Sequence, residues 1–271
     1  MFKEYENINV TFDELKNKTF SKNKKLKLNV TKDGILFEFL LFFKDTSKKV
    51  AVLGSGAFDR NKMQPPVFHR HKWFGDFDES VIIFNDPTLS LGDINIGWGY
   101  GNQERHFISE IGDILKIIYQ CLGIKTTSAL YFGSSAGGFT AMMLASYMKG
   151  WAFVNNPQTD IRLYFKTHVD KLKCVVYGDE NIELINIRSN VVEWFKKNKY
   201  VPRIYYAQNL TCSHDMNKHF LPFLDQVRHI DERYFKGKLT THLYADKERG
   251  HDPLEKRETL GIMRNIFKLV K

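Results

Sequence analysis

The chain has 271 residues, with 40 Lys+Arg against 31 Asp+Glu and a formal charge of +9. Its 22 Phe and 12 Tyr exclude a solvated coil, and 18 Gly with 7 Pro exclude collagen-like and low-complexity chains. The length suits one large α/β domain over residues 1–271, with core enough to need neither disulfides nor a structural metal.

Three scattered cysteines, Cys121, Cys174 and Cys212, form no C-x-x-C pair, so reduced thiols and no metal site are expected. Residues 1–16 carry acids and no apolar h-region, which argues against a secretory signal. The longest apolar stretch, Ile35–Phe43, contains Glu38 and is far short of the roughly 20 residues that span a bilayer. A soluble, cytoplasmic protein is the expectation.

Taken in order, Leu26–Val30 alternates, Lys32-Asp33-Gly34 supplies a turn, and Ile35–Phe43 continues as the second strand of an antiparallel hairpin. Val50–Leu53 is a short apolar run stopped by Gly54-Ser55-Gly56, and Ser80–Phe84 is another, as in buried parallel strands. Residues 104–122 space Phe107, Ile108, Ile111, Ile114, Leu115, Ile118 and Tyr119 along one helical face, with Gly123 as the stop. Ser128–Phe132 reads as a strand and Gly137–Met148 as a buried helix. Trp151–Val154, Cys174–Tyr177, Arg203–Ala207 and Leu239–Tyr244 are further strands, with helices over 183–198, 217–229 and 254–270. Strands alternating with helices indicate an α/β fold with a largely parallel sheet. Residues 158–200 are a candidate small cap.

The informative stretch is Gly133-Ser134-Ser135-Ala136-Gly137, a G-x-S-x-G between an expected strand and an expected helix. That context is what a nucleophile elbow requires, because the sharp turn leaves room only for small residues two before and two after the serine. Ser135 is the candidate nucleophile; Ser134 lacks a glycine two residues before it. The bare motif also occurs as an ordinary Ser/Gly turn.

An elbow serine needs a base and an orienting acid, in the chain order Ser, acid, His. His214, His219, His229, His242 and His251 lie late enough. His251 is favoured, in the turn between the last expected strand and the C-terminal helix. Asp215, in the loop after Arg203–Ala207, is the favoured acid and Asp179 its rival. One oxyanion donor is expected from the Ala136 N–H and a second from Gly56 or Ala57.

Beyond the elbow, several stretches follow one another. They are Gly54–Ala57, Pro65–Trp73, Asp86–Leu89, Gly97–Gly101, Tyr206–Asn209 and Gly250-His251-Asp252. In that order the chain resembles α/β-hydrolase-fold acyltransferases of bacterial surface-polysaccharide synthesis, over about residues 50–255. The resemblance implies an α/β-hydrolase fold with helices on both faces of the sheet and a Ser135, Asp215, His251 triad. It implies acetyl-CoA as acyl donor, with no permanently bound cofactor. It also implies an anionic capsular polysaccharide as acceptor and peripheral association with the capsule-synthesis machinery. In that setting Arg70 and Lys72 beside Trp73 are candidates to hold phosphates, and Trp98 and Tyr100 to stack on a sugar. His71 and Asp76 also have the H-x4-D spacing of glycerolipid acyltransferases, but no amphipathic or spanning helix accompanies them. An esterase or deacetylase using the same triad, and a non-catalytic polysaccharide-binding or export module, remain alternatives. No nucleic-acid recognition motif accompanies the basic charge, and the sequence is silent on oligomeric state.

Overall fold

The computed structural model describes residue 2, residues 4–235 and residues 238–270. The strands are β1 (Glu6–Thr11), β2 (Lys25–Lys32), β3 (Ile35–Phe42), β4 (Val50–Leu53), β5 (Ser80–Phe84), β6 (Ala129–Ser135), β7 (Trp151–Pro157), β8 (Arg203–Asn209) and β9 (Leu239–Tyr244). They form one sheet in the order β1-β2-β3-β5-β4-β6-β7-β8-β9. The helices in chain order are α1 (Phe107–Leu122), α2 (Ala136–Met148), α3 (Lys166–Tyr177), α4 (Asn186–Ser189), α5 (Val191–Asn198), α6 (Ser213–Asp215), α7 (Leu221–Val227), α8 (Glu232–Phe235) and α9 (Lys256–Leu269).

β2 and β3 form the expected hairpin, with Lys32 opposite Ile35. Asp33 and Gly34 both take positive φ, the backbone a two-residue turn needs to match strand twist. β3 pairs antiparallel with β5, and every pairing from β5 across to β9 is parallel. β4 and β5 are buried at every residue, which is why their sequences run apolar without alternation. β1, parallel to β2, has no counterpart in the sequence reading. Of its residues only Ile8 is buried, so it holds its place through the ladder rather than through an apolar pattern.

α1 turns its apolar stripe inward and ends at Gly123, whose left-handed backbone lets its N–H reach the last carbonyls. α2 is buried on almost every side, between the sheet and its neighbours α1 and α5. The expected strand at Cys174–Tyr177 is instead the last turn of α3. Val169, Leu172 and Val176 repeat at helical spacing on its buried face, Cys174 is exposed, and Gly178 closes the helix in the left-handed region. A short apolar run is compatible with both structures, and here helix packing decides. Within residues 158–200, α5 packs on α2, and its Trp194 indole N–H donates to the Met143 carbonyl. Among the described residues, no helix is long and apolar enough to cross a membrane.

Because β4, β6, β7 and β8 run parallel, their C-terminal ends open on one edge of the sheet. In open parallel sheets ligands bind outside the carboxyl ends of the strands, and the candidate residues gather there.

Candidate active site

β6 passes directly into α2 through Ser135, whose backbone is held at φ 55° and ψ −127°. A non-glycine residue in that conformation is strained and persists only where its surroundings impose it. The imposition is visible at the flanking glycines. A Cβ on Gly133 would lie 2.2 Å from the Gly137 carbonyl, and one on Gly137 would lie 2.8 Å from the Gly54 oxygen. Strand, turn and helix are therefore in backbone contact around the serine. Ala136 opens α2, so its N–H is among those with no partner inside the helix. Gly56 approaches from the loop after β4, where a Cβ would stand 3.9 Å from Ser135 Cβ. Ser55 ties that loop down by donating to the Val67 carbonyl and accepting from the His69 N–H.

The candidate acid and the candidate base meet. His251 Nδ1 and Asp215 Oδ2 are 2.6 Å apart, with the Asp215 side chain 1% exposed and the His251 side chain 41% exposed. Burial alone would pull the His251 pKa down, but the hydrogen bond and charge of Asp215, helped by Asp252, leave it raised above the ordinary imidazole value. The rival acid, Asp179, accepts from the backbone and side chain of Asn181 in its own exposed turn. His214 stacks on Phe165 at 4.3 Å between ring centroids, His219 is buried, and His242 pairs with the Tyr205 hydroxyl. Ser135 and His251 line one open cleft of about 490 Å³, together with Gly56, Ala57, Arg70 and Tyr164. No hydrogen bond joins Ser135 Oγ to His251; such bonds are often long before substrate binds. Oγ instead accepts from Gln158 Nε2 at 3.1 Å.

Three buried asparagines at the strand ends hold the loop that carries His251. Asn156 Nδ2 donates to the His251 and Asp252 carbonyls at 3.1 and 3.2 Å, and its Oδ1 accepts from the Asn209 N–H at 2.8 Å. Asn209 Nδ2 donates to the Asp246 and Gly250 carbonyls, and Asn155 Oδ1 accepts from the Leu254 N–H. Sequence reasoning missed these residues as functional, although Asn209 belongs to one of the stretches that carry the family resemblance. Their signal was polar side chains where strand ends should be apolar.

Of the other expected binding residues, Arg70 alone lines the cleft. Its guanidinium donates to Ser134 Oγ at 2.8 Å and lies over the Trp73 and Phe132 rings. Burial lowers its pKa to about 10. No carboxylate among the described residues pairs with it. Trp73 supports Arg70 from behind by stacking on Phe132, and Lys72 is exposed beside them. Trp98 and Tyr100 must be corrected. Both rings are buried, at 1% and 0% exposure, so neither offers a face to a sugar. Trp98 is turned inward because Asp86 Oδ2 accepts from the Gly99 N–H at 2.7 Å and Thr88 Oγ1 from the Gly101 N–H at 3.1 Å. Tyr100 spends its hydroxyl on Tyr177 and on the Ile185 N–H.

Among the described residues, the grouping close enough to hold a metal ion is Cys212, Asp215 and His251, with donor atoms within 4.8 Å of one another. Asp215 and His251 already use those atoms on each other. Burial, together with Asp215, raises the Cys212 thiol pKa and keeps it protonated, a poor state for a ligand.

A mostly parallel sheet with a serine elbow after a central strand, and a His–Asp pair from loops after β8 and β9, is the α/β-hydrolase fold. The chain matches no family model and no curated protein. Among solved structures it is similar to the capsule O-acetyltransferase of Neisseria meningitidis serogroup A, with a TM-score of 0.60 and 16% identity over 88% of this chain and 96% of that one. It is similar as well to a glycosylation-associated protein complex from Streptococcus agalactiae (TM-score 0.55, 16% identity, 86% of this chain and 44% of that one). A third neighbour is carboxyl esterase 2 of the fungus Tuber melanosporum (TM-score 0.58, 10% identity, 93% and 87%). At these identities the likeness is one of fold.

Proposed function

We propose that this protein is a serine acyltransferase that moves an acetyl group from acetyl-CoA to a hydroxyl of an anionic bacterial surface polysaccharide. The observation that carries the reading is the His251–Asp215 pair, 2.6 Å apart, sharing a cleft with a strained elbow serine. Ser135 Oγ attacks the thioester carbonyl while its proton passes to His251 Nε2. Asp215 holds the imidazole through Nδ1 and stabilises the imidazolium. The oxyanion is met by the Ala136 N–H and by Gly56 or Ala57. As the carbon–sulfur bond breaks, His251 returns the proton to the coenzyme thiolate. In the second half, His251 takes the proton of the acceptor hydroxyl, whose oxygen attacks the acetyl carbon, and Ser135 Oγ leaves and is reprotonated. The part-buried Arg70 guanidinium at the cleft wall, with no carboxylate partner among the described residues, and the net charge of +9 favour an anionic acceptor over a neutral one. Peripheral association with capsule-synthesis enzymes would deliver that polymer.

The test is release of free thiol from acetyl-CoA with and without a polyanionic capsular polysaccharide. The expected result is polymer-dependent release that weakens as salt rises, with acetyl-Ser135 seen by mass spectrometry when the acceptor is withheld. Full polymer-dependent turnover by Ser135→Ala refutes the serine mechanism. Release that ignores the polymer makes the protein an esterase built on the same residues.

A further inference from the structure

The side chain touching the nucleophile is not one of the expected triad. Gln158 stands one residue past β7, fully buried, and its backbone N–H donates to the Ser135 carbonyl at 3.2 Å. We propose that Gln158 is a catalytic residue: an amide donor fixed on Ser135 Oγ that sends the serine proton toward His251 and steadies Oγ when it leaves. The proposal rests on Ser135 being the nucleophile, and it adds a residue to that reading.

Trp98 decides which end of the amide faces the serine. The indole N–H of Trp98 can only donate, and it meets Gln158 Oε1 at 2.5 Å. The oxygen is thereby committed, and the NH2 group must face Ser135 Oγ, which it does at 3.1 Å. Turning the amide over would set two donors against each other in a dry site, an expensive arrangement. Trp98 in turn cannot rotate away, because its left-handed backbone (φ 54°) sits in the turn that Asp86 grips through Gly99. A chain of fixed groups runs from Asp86 through Trp98 and Gln158 to Oγ.

The chemical consequence follows from hydrogen-bond direction. Gln158 cannot accept the Oγ proton, since its oxygen faces Trp98 and the end that faces Oγ is an NH2 group, which only donates. With one Oγ lone pair held by an N–H, the hydroxyl hydrogen is left to donate into the cleft, where His251 is the base. During acylation that proton moves to His251 as the Oγ–carbon bond forms. During transfer the Oγ–carbon bond breaks and its electron pair returns to Oγ. The Gln158 N–H already lies on that oxygen, ready to stabilise the charge before His251 reprotonates it. This also gives buried Trp98 a purpose.

The test is the rate at which a fluorophosphonate labels Ser135, followed against pH in the wild type and in three variants, with circular dichroism and urea unfolding as checks on the fold. It needs neither acetyl donor nor polysaccharide. Gln158→Met keeps the volume and removes the donor, and should label at least about tenfold more slowly at every pH, at or below the range for losing one oxyanion donor. Gln158→Glu reads direction. Its protonated carboxyl can still donate to Oγ, whereas the ionised form can only accept and draws the serine proton away from His251. Its labelling rate should therefore fall with rising pH over a range where the wild-type rate climbs. Trp98→Phe frees the amide to turn and should cost less than Gln158→Met but more than twofold. Should Gln158→Met fail to fold, the other two variants carry the test. The proposal is overturned if Gln158→Glu follows the wild-type pH profile, or if the folded variants label within twofold of wild type. A wild type that does not label removes the serine reading and this one with it; a labelled wild type with indifferent variants removes this one alone.

Discussion

Asn156→Ala tests how His251 is held. Asn156 is buried with φ 43°, in a region that asparagine tolerates and alanine resists, at a cost of about 1–2 kcal/mol. The substitution also strips the donor from the His251 and Asp252 carbonyls and the acceptor from the Asn209 N–H. The two loop carbonyls can turn to water, but the Asn209 N–H stays at a buried strand end, and orphaning it costs about 1–3 kcal/mol. Together these give a loss of about 2–5 kcal/mol, a large share of the roughly 5–15 kcal/mol that typically holds a domain folded. Urea unfolding measures it. Asn156→Gly is the internal control: it restores the backbone freedom without the hydrogen bonds, so it should be about 1 kcal/mol more stable than the alanine variant. Activity should fall further than stability suggests. The variant unties the peptide units of the base itself, and a shift of about 1 Å in a catalytic group costs on the order of 100-fold. Fluorophosphonate labelling of the folded protein reads that loss. If Asn156→Ala unfolds within 1 kcal/mol of wild type (about one hydrogen bond) and labels within twofold, the reasoning about the asparagines is wrong.

Two further outcomes are expected. Gly133→Ala places a Cβ 2.2 Å from the Gly137 backbone, which no side-chain movement relieves, so the strand and helix must part. Soluble yield should collapse, or stability should fall by more than about 4 kcal/mol in a thermal melt; a normal melt contradicts the elbow geometry. Asp215→Asn removes the main causes that raise the His251 pKa and leaves only the smaller pull of Asp252 against burial, which lowers it. The acid limb of the labelling profile should move to lower pH while the plateau drops by about 1,000–10,000-fold. Because the folded pKa is raised, His251 adds stability fully present below its unfolded value of about 6.5 and lost as pH rises through the folded value. In Asp215→Asn that pH-dependent gain should vanish from urea midpoints.

The β2–β3 hairpin, the buried strands β4 and β5, α1 and the elbow were legible because each is written in a contiguous window: a turn dipeptide, an apolar run, a helical stripe, a small-residue frame. β1 was not, since parallel pairing with β2 rests on backbone bonds that leave no apolar signature. The end of α3 was misread because four apolar residues carry no period of their own. Trp98 and Tyr100 read as candidates to stack on a sugar because nothing local reveals that Asp86 folds their turn inward and buries both rings.

The sequence by itself determined the class of fold and which serine could be a nucleophile, because both depend on steric demands between near neighbours: strand and helix periodicity, and glycines around Ser135. It narrowed the base and the acid to a few candidates. Only the tertiary structure decided that Asp215 rather than Asp179 meets His251, that three asparagines hold the His251 loop, and that Gln158 rests on Oγ. Those contacts join positions 23 to 99 residues apart, between polar groups with no periodicity. A hydrogen bond is short-ranged and directional, so it can be assigned only once the sheet has brought its two ends together.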